Sequence, residues 1–196
     1  MAKLLAFRRS TSEVVTLDTI NNTITTLGSA LSNVETISLF PGRTQNNVAV
    51  YRGDPYLLYL HDTNEIRLAV YQSGAWADVG GFSAITPAGG GVMVPIALRV
   101  VQDYLVAICA ENGGGSDALI ARTSQDGSTW NAPVSEATTA PTEGGSTIVW
   151  RNALFLSTTD GVQYFYPLTG AWAAGFDIGS DTLLQGATIQ IGRAHV

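Results

Sequence analysis

Three short loops carry the side chains most able to do chemistry. His61-Asp62-Thr63-Asn64-Glu65, Glu111-Asn112 through Asp117, and Thr158-Thr159-Asp160-Gly161 each set polar groups between apolar runs. Two carboxylates at a fixed separation are what glycoside hydrolysis requires, and a rim of acid and amide oxygens suits a sugar or a hard cation. Asp62, Asn64, Glu65, Glu111, Asp117 and Asp160 are therefore the candidate ligand-binding residues. The same residue types fill tight turns for backbone reasons alone, and that plainer reading is the stronger one. Spacing pairs none of these carboxylates, so no catalytic residue is assigned.

Other chemistries are poorly supplied. With two histidines, His61 and His195, and one cysteine, Cys109, neither a zinc site nor a His-dependent nucleophile is expected. Cys109 ends the run Leu105-Val106-Ala107-Ile108-Cys109 and reads as a buried structural thiol. Gly113-Gly114-Gly115 is followed by neither Lys-Ser/Thr nor a helix, so it is a loop rather than a phosphate cradle. Arg52-Gly53-Asp54 looks like an adhesion motif, but a hairpin turn ending in Asp54-Pro55 explains the same residues. The net charge is −6 and Lys3 is the only lysine, which argues against nucleic acid as a partner. The patch Leu4 to Phe7 is too short for a secretory signal, and no run reaches the ~20 apolar residues of a membrane span. No cofactor, metal or membrane is expected, and carbohydrate or another protein remains as the partner.

These loops must be held by strands, because a period of two dominates the chain. Val48 to Tyr51, Tyr56 to Leu60 and Ile66 to Tyr71 form one set; Leu98 to Val101, Tyr104 to Cys109 and Ala118 to Arg122 form a second. Ile148 to Trp150, Ala153 to Ser157 and Val162 to Tyr166 form a third. The copies run over Val48 to Phe82, Ile96 to Ser135 and Thr147 to Phe176, and the first turns, at Asp54, Gln102 and Arg151, are 102 − 54 = 48 and 151 − 102 = 49 residues apart. A steady step built from strands indicates a stacked or radial repeat. Glu13 to Asp18 and Thr23 to Leu27 add a hairpin, Leu27 to Ile37 could hold a short helix, and Gly80 to Gly91 and Ser135 to Ser146 read as connections. The expected interior is Leu57, Tyr59, Leu68, Val70, Val100, Leu105, Ile108, Leu119, Ile148, Leu154, Phe155 and Phe165.

Ser124-Gln125-Asp126-Gly127-Ser128-Thr129-Trp130 resembles the Asp-box, or bacterial neuraminidase repeat, of sialidase-type propellers. It keeps Ser124, Asp126, Thr129 and Trp130 and is one residue shorter between Asp and Thr; the other units keep only Gly74-Ala75-Trp76 and Gly170-Ala171-Trp172. The resemblance implies an all-β fold, a partial β-propeller of about three complete antiparallel blades with incomplete terminal blades. It gives Ser124, Asp126, Gly127, Thr129 and Trp130 a structural role, with Trp130 tucked between blades. The family's arginine triad, Tyr/Glu pair and Phe/Tyr-Arg-Ile-Pro segment have no recognisable counterpart; Leu5 to Arg9 reads Leu-Ala-Phe-Arg-Arg. The expected function is a non-catalytic interaction or structural module, carbohydrate-recognising or virion-associated; the alternative is a piece of a sialidase-like glycoside hydrolase.

Ile191-Gly192-Arg193-Ala194-His195-Val196 breaks the strand pattern just as Asp181 to Ile189 starts another blade. One codon choice for this hexapeptide plus a stop coincides with a short-read sequencing adaptor. Residues 191–196 are accordingly expected to be non-native, residues 1–190 to be a truncated propeller, and the open end to be prone to self-association.

Overall fold

The computed structural model describes residues 3–8, 13–18, 20–28, 31, 47–115, 117–137, 147–158 and 161–174. These form four antiparallel sheets, and none of them is helical. The first sheet contains β1 (Lys3–Arg8), β2 (Glu13–Asp18) and β3 (Thr23–Thr26). The second contains β4 (Val48–Tyr51), β5 (Asp54–His61), β6 (Glu65–Gln72) and β7 (Ala75–Asp78). In the third are β8 (Val92–Val101), β9 (Tyr104–Asn112), β10 (Ala118–Ser124) and β11 (Val134–Ala137). The fourth has β12 (Thr147–Trp150), β13 (Ala153–Thr158), β14 (Gly161–Tyr166) and β15 (Ala171–Ala174). Strands follow one another in chain order within every sheet. The first strands of successive sheets are neighbours, β1 to β4, β4 to β8 and β8 to β12.

The core lies between sheets. Side chains alternate along a strand, so Leu57 and Tyr59 point towards the first sheet, while Tyr56, Leu58 and Leu60 point towards the third. Both directions end in packed layers, and β5 is buried without interruption from Tyr56 to His61. In β9, Leu105, Ala107 and Cys109 join the layer shared with the second sheet, and Val106, Ile108 and Ala110 the layer shared with the fourth. Such continuous apolar runs are the mark of strands covered on both faces. Each Leu or Ile so placed contributes about 1.5–3 kcal/mol.

The repeat anchor is corrected by the backbone. Arg52, Gln102 and Arg151 have positive φ values of 51°, 54° and 52°, so equivalent turns are 102 − 52 = 50 and 151 − 102 = 49 residues apart. Asp54 is already the first residue of β5, and Arg52 with Gly53 (φ 93°) makes the two-residue hairpin turn. The hairpin around Asn21-Asn22 gains β1, which pairs along β2 from Lys3 opposite Asp18 to Arg8 opposite Glu13. Ser135 to Ala137 belong to β11 rather than to a connection, paired with β10. Gly80 to Gly91 is a loop, touching the second sheet through the Ile66–Ile85 bridge.

Of the expected interior, Leu57, Tyr59, Leu68, Leu105, Ile108, Leu119, Leu154 and Phe165 are buried. Val100 is 37 % exposed, and Val50 and Val149, at the equivalent positions two residues before the positive-φ turn residue, are exposed as well. Val70, Ile148 and Phe155 are half-buried. Leu27, Gly28 and Leu31 are not helical, and the rest of the segment to Ile37 lies outside the described residues. So do Asp160, Asp181 to Ile189 and the hexapeptide 191–196.

Candidate functional site

The turn after β10 is built by two short side chains. Ser124 Oγ accepts from the Gly127 N–H at 2.8 Å and the Asp126 N–H at 3.3 Å, and donates to Asp126 Oδ1 at 3.0 Å. Asp126 Oδ1 in turn accepts from the N–H groups of Ser128 (2.8 Å) and Thr129 (2.6 Å). Those two amides hold the Asp126 carboxyl well below the usual carboxylate range. Gly127 takes φ 81°, a left-handed conformation that glycine adopts without steric cost, and its Cα sits against the Tyr56 hydroxyl.

The turn is clamped from the second sheet. Tyr51 Oη lies between two carbonyls and donates towards Asp103 O (2.6 Å) and Gln125 O (2.5 Å). Trp130 is buried, meets Phe82 edge-on at 4.9 Å, and donates Nε1 to Gly127 O at 3.3 Å. Arg122 spans the same seam, with its guanidinium 4.8 Å from the Phe82 ring centroid and bonds to Ser83 O and Asn131 O. Trp130 belongs to the buried layer that residues of the second and third sheets share. The tryptophans of the other units also reach back: Trp76 Nε1 donates to Leu27 O (2.7 Å) and Trp172 Nε1 to Val134 O (3.1 Å).

A cleft of about 310 Å³ opens beside this turn, lined by Tyr104, Thr123, Ser124, Gln125, Asp126, Thr129 and Asn131. Its floor is fixed, since Asn131 Nδ2 donates to the buried Thr123 Oγ1 at 2.9 Å. Hydroxyl, amide and carboxylate groups thus share one concave surface with a half-buried tyrosine ring.

Five of the six loop candidates lie among the described residues, and each has a neighbour of its own. Glu111 is buried, and its carboxylate accepts from Ala88 N (2.8 Å), Gly89 N (2.7 Å) and Gly91 N (3.1 Å). Asn64 clips the same loop, donating Nδ2 to Gly91 O and accepting from Met93 N, both at 2.9 Å. Asp117 accepts from Gly113 N at 2.6 Å within its own hairpin. Asp62 is exposed, 2.8 Å from His61 Nδ1. Glu65 pairs with Arg67 at 2.9 Å, which lowers its carboxyl below the usual range. Asp160 is outside the described residues.

A second polar cluster escaped sequence reasoning. Arg67 lies between Glu65 and Asp78 (3.4 Å), and Tyr59 donates to Asp78 Oδ1 at 2.6 Å. Burial, then Asp78, pushes the Tyr59 phenol up, so it is a poor nucleophile at neutral pH. The hint in the sequence was the pairing of polar residues opposite one another on β5 and β6, Tyr59 facing Arg67 and His61 facing Glu65. Burial likewise raises the Cys109 thiol. Among the described residues, no three His, Cys, Asp or Glu side chains are grouped so as to hold a metal ion. No family model matches the chain, and no curated protein matches it.

Proposed function

We propose that this chain is a non-catalytic interaction module, part of a β-propeller of the Asp-box type, which holds a saccharide in the cleft beside the Ser124–Trp130 turn. The propeller reading draws support from four up-and-down sheets whose first strands neighbour one another in succession. Blades set around an axis have that pattern.

The recognition reading is carried by one observation, the composition of the 310 Å³ cleft. Ligand pockets begin near ~300 Å³. A sugar offers hydroxyls around an apolar ring face, and Gln125, Thr129, Asn131 and the Tyr104 ring match both kinds of surface. Asp126 stays ionised in its ring of amides, so it has no proton to give as a general acid. Titration of the whole chain against a glycan panel tests the reading. Tyr104→Ala and Asn131→Ala are each expected to weaken a positive titration about tenfold. Failure of every glycan to bind would defeat it.

The alternative, a piece of a glycoside hydrolase, draws on the Glu65–Arg67–Asp78–Tyr59 cluster, where two carboxylates flank one guanidinium. Turnover of a fluorogenic sialoside by the chain would put that alternative first.

A further inference from the structure

The cleft beside the Ser124–Trp130 turn carries a fixed charge that its wall does not offset. Asp126 supplies the carboxylate among the lining residues, and the others contribute a phenol ring, hydroxyls and amides. The groups bound to that carboxylate are neutral donors: the N–H groups of Ser128 and Thr129, the Ser124 hydroxyl and the Thr129 hydroxyl. Such donors fix the carboxylate in place and favour its ionised form, yet they leave its charge whole. Among the described residues, no lysine, arginine or histidine forms an ion pair with Asp126.

The arginines of the neighbouring segments are directed elsewhere. Arg122 precedes Ser124 on β10, but its guanidinium lies in the seam with the second sheet, against the Phe82 ring and the carbonyls of Ser83 and Asn131. Arg52 lies 5.6 Å from the Tyr51 ring centroid, and Arg151 4.5 Å from that of Trp150. Asp103, whose carbonyl shares the Tyr51 hydroxyl with that of Gln125, has the same sign as Asp126.

A ligand in the cleft therefore meets one full negative charge, and the sign of its own charge decides the outcome. An ammonium group gains, a hydroxyl is indifferent, and a carboxylate is repelled. Asp126 is exposed, so each difference is that of a solvated ion pair, about fivefold in affinity.

We propose that the cleft sorts saccharides by charge, taking a sugar with a protonated amine ahead of a neutral one and a neutral one ahead of an acidic one, and that Asp126 sets this order. The proposal rests on the saccharide reading of the cleft and names the class of saccharide.

Three disaccharides of one linkage, built from glucosamine, glucose and glucuronic acid, test it by calorimetric titration into the whole chain. At pH ~6 an amine with an ordinary value near ~8 is charged, and a carboxyl with one near ~4 is ionised. The expected order is amine, hydroxyl, carboxylate, with about fivefold between steps at low salt and a narrowing as salt is added. Asp126→Asn keeps an oxygen for the two amides and is expected to bring the three affinities within about twofold of one another. Equal binding of the three sugars, or an order that survives Asp126→Asn, would overturn the proposal and leave the saccharide reading standing. Binding of none would remove both. A lysine tripeptide that binds more tightly than the glucosamine disaccharide would overturn it in favour of a peptide amine. Should circular dichroism reveal that Asp126→Asn unfolds, the salt series on the wild type decides, and an order unmoved by salt would overturn the proposal.

Discussion

Ser124 and Asp126 organise one turn in different ways. Ser124 is buried and accepts two main-chain amides, so Ser124→Ala strands both donors. The expected loss is about 1–3 kcal/mol, read from urea denaturation. Asp126 acts through charge, and its native pKa lies below its unfolded value. Its contribution is complete above the unfolded value of ~3.9 and disappears as pH falls through the native one. Between ~5 and ~2 the urea midpoint of the wild type should therefore fall more steeply than that of Asp126→Asn; parallel curves would exclude the amide ring as the source. These residues were legible because their partners lie within three positions of one another. Glu111 and Asn64 were not, because their partners lie 20 to 29 residues away, in the loop before β8 and at the start of β8 itself. Periodicity marks such carboxylates and amides as loop residues without saying whether they face solvent or a neighbouring backbone.

Strands joined into sheets are stitched to their predecessors by tryptophan and glycine. Trp172 donates from β15 to Val134 in β11, and Trp172→Phe keeps most of the ring while removing that bond. A loss of about 0.5–1.5 kcal/mol is expected, seen as a lower thermal midpoint; an unchanged midpoint would mean that the indole nitrogen contributes nothing to the seam. At the Gly127–Tyr56 contact, an added Cβ meets both a left-handed φ and the phenol. Gly127→Ala should cost about 1–3 kcal/mol, and part of that should return in the double variant with Tyr56→Phe. Strict additivity in that cycle would mean that backbone strain alone is responsible. Long strands such as β5, β6 and β9 were readable from sequence because their apolar runs or alternations lie in strands of eight or nine residues. β1 read only as a short apolar patch, and β11, Val-Ser-Glu-Ala, offers a single large apolar side chain, so neither stood out; pairing with β2 and β10 makes them strands.

Across the whole molecule, the repeat was visible as a spacing, and the layering follows from it. Leu57, Leu105, Ile108 and Leu154 are buried as expected because each belongs to a strand with a neighbour on the relevant side. Ile148 and Phe155 are half-buried and share the face of the fourth sheet turned away from the third, a property of position in the stack that local pattern does not encode. The covering of the second and third sheets on both faces also bears on how the molecule opens. A stack whose members meet mainly their neighbours loses its ends before its middle, in proportion to nearest-neighbour contact. Amide hydrogens in β13 and β14 should exchange with deuterium through partial opening, while those in β5 and β9 wait for the entire fold to come apart. Protection that is level from sheet to sheet would mean a single cooperative unit. Graded protection would make the central seam, with Tyr51 between its two carbonyls, the last part of the protein to forget its shape.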